Sequence, residues 1–248
     1  MKTQRVMASL NIQFKKLMRQ PGYLVMLLLF PLMIGGMLYL FTGKVSVPMS
    51  GKTIFDTMVP GLLVMPALVG MIFVSISFSQ VKGEGLLKRI YTTPTTAKEF
   101  LGSVIITNSI IAIVQIGLLS VFIALTGFQY NASVAGIALA GLIITIFYIG
   151  TIGFGLICAI LAKTIQNGSG YANLYSMPQL NIMFFTLPEA ELFRKFMPVY
   201  YPMDALTLIF DGIALTNFNI WIDFAINLII TMVIIIIAIL LFKRHGKT

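Results

Sequence analysis

Phe100-Leu-Gly-Ser-Val-Ile-Ile-Thr-Asn-Ser-Ile110 opens a run that reaches Ala162 without one Asp, Glu, Lys, Arg or His. Such a run cannot be solvated as loop, and it is too long for the core of a small domain. It divides once, at Gly127-Phe-Gln-Tyr-Asn-Ala-Ser133, a polar turn-forming segment. Each half then has the roughly 20 apolar residues that a helix needs to cross a bilayer core. The reading that follows is an all-α polytopic membrane protein.

The rest of the chain agrees. Of its 248 residues, 58% are hydrophobic and only 10% charged, against about 25% charged in soluble chains. Mean hydropathy is +0.96. Six spans are expected, over residues 22–41, 57–81, 99–126, 133–162, 171–187 and 221–242, the fifth being the most polar. Between the last two, residues 188–220 carry Pro188, Pro198 and Pro202 together with the apolar patch Ala205–Phe210. That segment is too interrupted to span and too apolar for an ordinary loop. A short re-entrant helical hairpin in the outer leaflet reconciles the two, with any non-helical backbone buried against protein.

The net charge of +9 does not imply nucleic acid, because the basic residues flank apolar runs instead of forming one soluble face. They set the orientation. With both termini cytoplasmic, thirteen of the seventeen Lys and Arg face inward and only Lys44, Lys52, Arg194 and Lys195 face outward. In residues 1–20, Val6, Leu10, Phe14 and Leu17 recur at helical spacing, with Lys15, Lys16 and Arg19 toward the other side. This pattern suits a helix lying in the cytoplasmic interface, the alternative being an unstructured positive leader. No small-residue cleavage site follows the first apolar run, which argues against a signal peptide.

Several chemistries are excluded by residue inventory. The single cysteine, Cys158, lies in an apolar run, and the single histidine, His245, lies in the charged tail, so neither a disulfide framework nor histidine catalysis inside the membrane is available. No charge falls near a span centre, which removes the usual carriers of a proton relay. Asp56, Asp204, Asp211 and Asp223 are expected at solvated or headgroup level. Pathway candidates are therefore polar or soft side chains: Ser75 and Ser79 in the second span, and Asn173, Tyr175, Met177, Gln179 and Asn181 in the fifth. Asn108 and Gln115 in the third share a face seven residues apart, where interhelical hydrogen bonding is the favoured reading.

The segment between the second and third spans, residues 82–94, is short, cytoplasmic and charged, yet Leu86, Leu87, Ile90 and Tyr91 interrupt its charges. A bare connector needs no such residues, whereas a short amphipathic helix seated in a partner's groove needs them as anchors. The order Glu84-Gly85-Leu86-Leu87-Lys88-Arg89, then Thr93-Pro94, then Glu99-Phe100-Leu101-Gly102, resembles the corresponding segment of ABC-2 type permeases, the membrane subunits of ATP-binding-cassette exporters, including the daunorubicin-resistance, multidrug type. The chain departs from that pattern at Gln80-Val81-Lys82, where the family often has a second acidic residue. It departs again at Asn181–Pro188, where the family often has a Gly-Phe-Phe-Pro-like run.

The resemblance implies that Glu84, Gly85, Leu86, Leu87, Lys88, Arg89, Thr93 and Pro94 form a coupling helix docked on a separate ATPase subunit. It implies two ATPase copies and two permease halves, with a homodimer expected, in a prokaryotic plasma membrane. No Gly-x-x-x-x-Gly-Lys-Ser/Thr loop occurs in the chain, so ATP and Mg are expected on the partner and no cofactor here. The expected function is export of a hydrophobic or amphipathic drug, peptide or lipid-like cargo; the alternatives are a polysaccharide or lipid-linked glycan exporter and a sodium-export permease.

Overall fold

The computed structural model describes residues 7, 10–11, 15, 19, 21–48, 51–83, 97–184 and 191–245. Most of the expected interfacial helix over 1–20 lies outside these residues. So does the whole of Glu84–Pro94.

Helix α1 (Pro21–Thr42) begins on a proline, whose missing N–H costs nothing in a first turn. Helix α2 (Ile54–Gly83) starts from a reciprocal cap: the Thr53 Oγ1 accepts from the Asp56 N–H, and the Asp56 carboxylate accepts from the Thr53 N–H at 2.7 Å. Asp56, expected to be merely solvated, is thus a helix-start residue. Helix α3 (Ala97–Leu125) ends where Gly127 adopts φ +88°, and α4 (Val134–Leu161) begins on Ser133, whose side chain accepts from the Gly136 N–H. The polar divider read from the sequence is this turn. Helix α5 (Ile165–Phe184) is followed by two short helices, α6 (Glu191–Phe196) and α7 (Tyr200–Phe210), and by α8 (Phe218–His245).

Five of these helices are long and apolar enough to cross a membrane: α1, α2, α3, α4 and α8. The helix at the expected fifth span starts six residues earlier than the expected 171, and its Gln, Asn and Ser content keeps it out of that apolar class. Helix α2 also runs two residues further than expected, so Lys82 and Gly83 close a helix and do not open the next segment.

Helices α2 and α4 pack along one another at the centre. α1 and α3 lie against one side, α5 against both central helices, and α8 along α4. Small residues permit the close approaches. A Cβ on Gly155 of α4 would stand 2.5 Å from the Met71 carbonyl oxygen of α2, and one on Gly150 would stand 2.6 Å from the Thr231 Oγ1 of α8. Helices α6 and α7 fold back over one end of the bundle, where Pro202, Met203, Ala205, Leu206, Ile209 and Phe210 are buried. Phe128, Tyr130 and Phe210 pack edge to face there, and Lys52 pairs with Asp211.

This return corrects one expectation. Asp223, in the first turns of α8, is 6% exposed and not solvated, because α7 covers it and brings the Asp204 carboxyl alongside. Nearby, burial and then the Asp204 carboxylate push the Tyr200 hydroxyl above its ordinary pKa.

Candidate functional site

Among the polar residues of the interior, most join helices. Gln115 of α3 donates to the Leu27 carbonyl of α1 at 2.6 Å and accepts from the Tyr148 hydroxyl of α4 at 3.2 Å. Asn227 and Thr231 of α8 donate to the Ile143 and Ile146 carbonyls of α4. Asn108, by contrast, donates to the Val104 carbonyl of its own helix. Inside lipid, bonds of this kind fix helix register, each worth about 0.6 kcal/mol on average.

The expected pathway residues divide into two groups. Ser75 is fully buried and donates to the Gly168 carbonyl at 2.9 Å, and Ser79 is buried beside it. Gln179 is also buried: its Nε2 donates to the Tyr175 carbonyl, while its Oε1 accepts from the Val199 N–H and so pins the α6–α7 turn to α5. Tyr175 stacks on Phe154 with ring centroids 3.8 Å apart. These four residues are packing elements within one chain.

Asn173, Met177 and Asn181 are different. They recur every four residues along α5, so they share a face with the exposed Gln166 and Gly170. The opposite stripe, Gly168, Ala172, Ser176, Gln179 and Met183, is the one buried against α2 and α4. Met177 and Asn181 are exposed and Asn173 half-exposed, with Asn181 donating to the Met177 carbonyl. Helix α5 therefore turns small residues and Gln179 inward, and its outward side mixes the amides of Gln166 and Asn181 with the exposed Leu174 and Met177.

The family match now decides the class: the model of the ABC-2 type transporter covers residues 4–214. The chain belongs to the ABC-2 type transporter family. It is accordingly the permease component of an ABC transporter, an integral membrane transport protein and not the ATPase, and members of this family usually pair with an ATPase subunit. No curated protein matches the sequence.

In this ABC-2 permease, Glu84, Gly85, Leu86, Leu87, Lys88, Arg89, Thr93 and Pro94 lie outside the described residues. The flanking helices are described and show what the segment is joined to. On one side it follows α2 in sequence, and the last turn of α2 is anchored: the Lys82 ammonium donates to the carbonyls of Ile160 and Ala162 at the end of α4. On the other it leads into α3 at Ala97. The end of α8 is close to the same place, since Phe242 packs edge to face on Phe78. Sequence reasoning missed Lys82 as a structural residue. Its position at the edge of an apolar run looks identical for a cation bound to headgroups and for one turned inward onto carbonyls.

Proposed function

We propose that this permease is one half of an ABC exporter for hydrophobic or amphipathic cargo, with the exposed stripe of α5 facing the pathway between two copies. In this reading α5 is also a membrane span, the fifth of six in chain order, both termini and residues 82–94 are cytoplasmic, and α6–α7 form the re-entrant hairpin of the outer leaflet. The carrying observation is that stripe: Asn173, Met177 and Asn181 beside Gln166, presented outward on a 20-residue helix. An amide left in hydrocarbon with part of its hydrogen-bonding capacity unmet is costly. A second copy of the chain or a hydrated cavity removes that cost, and methionine and amide side chains suit an amphipathic cargo better than a small ion.

The power stroke comes from outside the chain. Two ATPase subunits close on ATP and Mg, and the Glu84–Arg89 helix of each permease transmits that closure, which favours an outward-open arrangement of the two halves. Ser75, Ser79, Tyr175 and Gln179 support the lining stripe from behind.

Two measurements test this. In a Cys158→Ala background, cysteines placed one at a time at 173, 177 and 181 are expected to react with a water-soluble thiol reagent, and Mg-ATP should change the rate in the assembled transporter. Equal reactivity to a lipid-facing control such as Val121→Cys, with no nucleotide effect, would remove the pathway. Separately, Leu86→Asp with Leu87→Asp should abolish copurification of the ATPase while membrane insertion persists; retained association would remove the coupling assignment.

A further inference from the structure

We infer that Lys82 is a positioning residue that binds the ends of α2 and α4 together, so that α2, α4 and α5 answer a displacement of the coupling segment as one body. The inference rests on the coupling role proposed above for Glu84–Arg89.

Lys82 is the last residue but one of α2. Its Nζ donates to the Ile160 carbonyl at 2.7 Å and to the Ala162 carbonyl at 2.9 Å. Both carbonyls belong to the end of α4, where the final C=O groups have no partner further along the helix and carry its negative pole. Ala162 caps α4 through its N–H to the Cys158 carbonyl, and α5 begins three residues later at Ile165. One ammonium thus holds the end of α2, the end of α4 and the joint into α5.

The clamp completes a stripe. Met71, Ser75, Ser79 and Lys82 follow one face of α2 at helical spacing. Every one of them touches α4 or α5 closely. The Met71 carbonyl stands where Gly155 has no room for a Cβ. Ser75 bonds to Gly168, and a Cβ on Gly168 would lie 2.5 Å from the Ser79 Oγ. Close contact from the middle of α2 to its last turn, through the Met71 carbonyl and the side chains of Ser75, Ser79 and Lys82, ties α2 to α4 and α5.

Helix α3, on the far side of the coupling segment, is held differently. Only 28% of its membrane-crossing window is buried inside the protein, against 83% of α2 and 78% of α4. A push on the segment between residues 83 and 97 therefore meets three closely packed helices on one side and a less enclosed helix on the other. Without the Lys82 clamp, the last turn of α2 can give way before α4 and α5 move. The plain alternative is that Lys82 only stabilises the fold or anchors headgroups.

The test uses the full-length permease assembled with its ATPase subunit, in a Cys158→Ala background. Spin-label pairs at Gly83→Cys with Lys163→Cys, and at Gly83→Cys with Gly102→Cys, report the two sides; Gly83 and Gly102 have open space for a label and Lys163 is exposed. The 83–163 distance should stay the same between the nucleotide-free and ATP-vanadate states while the 83–102 distance shifts. Lys82→Met should broaden the 83–163 distribution and weaken the Mg-ATP effect on thiol labelling at Asn181→Cys by about fivefold or more, the lower end of ordinary site-to-site coupling. ATP hydrolysis and subunit association should persist, and Lys82→Arg should restore the response.

A wild-type 83–163 distance that moves as much as the 83–102 distance overturns the one-body inference while leaving the coupling role intact. A Lys82→Met protein whose α5 response matches the wild type overturns the role of Lys82. If neither pair responds to nucleotide in wild type, the coupling role itself fails and takes the inference with it.

Discussion

Helices α2 and α4 and helices α1, α3 and α8 are made of the same apolar material and do opposite jobs. Within their membrane-crossing windows, 83% of α2 and 78% of α4 are buried inside the protein, against 17% of α1, 28% of α3 and 17% of α8. The most hydrophobic of the five, α8, with its Ile234–Ile237 run, is among the least buried. In water that would be backwards. In lipid it follows from the solvent, because hydrocarbon tails are as apolar as leucine and apolarity no longer distinguishes inside from outside. Small residues and interhelical hydrogen bonds select the core instead. Gly70, Gly150, Gly153, Gly155 and Gly168 all sit where a Cβ would collide with another helix, and Gln115, Asn227 and Thr231 bridge backbones.

That contrast can be broken most forcefully at Gly155. Gly155→Ala pushes a methyl against the Met71 carbonyl oxygen, a backbone atom that cannot rotate away, and should destabilise the permease by about 2–3 kcal/mol. The readout is a fall in thermal unfolding midpoint and in the monodisperse fraction in mild detergent. A wild-type midpoint would mean that α2 and α4 are less tightly joined than described.

A middle-sized effect is expected at Gln115→Leu. It removes the bonds to the Leu27 carbonyl and the Tyr148 hydroxyl at nearly constant volume and should cost about 1 kcal/mol. A double-mutant cycle with Tyr148→Phe sharpens it: the combined loss should be less than the sum, because both changes delete the same bond.

The smallest effect belongs to Gly117→Ala on the outer helix α3. Nothing lies within 4 Å of the new methyl, so stability should change by no more than about 0.5 kcal/mol, and toward gain. Gly117→Ala harming the protein as much as Gly155→Ala would erase the distinction between core and sleeve glycines in this chain.

Much of the fold was legible because a bilayer imposes length and charge rules that a linear reading can apply. The turn at Gly127–Ser133 emerged at its place, since a helix cannot hide Gln129, Asn131 and Ser133 at once in hydrocarbon. The polar character of α5 was legible too, but not which amides mattered. Ser75, Ser79 and Gln179 look as polar in sequence as Asn173 and Asn181, yet all three are buried, Ser75 donating to the Gly168 carbonyl and Gln179 accepting from the Val199 N–H. Asp223 was misread for a related reason, because its cover comes from α7, the preceding short helix, which folds back over the start of α8.

The sequence alone determined that this is a helical membrane protein, where its apolar runs begin and end, and which segment carries charge and leucine together. Those properties depend on each residue's preference for water or hydrocarbon, which needs no knowledge of neighbours. Tertiary structure decided which equally greasy helices form the centre, which side of α5 is left open, and that Lys82 turns onto the end of α4. These depend on close approach between helices far apart in sequence, where a missing Cβ or a carbonyl within 3 Å outweighs any difference in hydropathy.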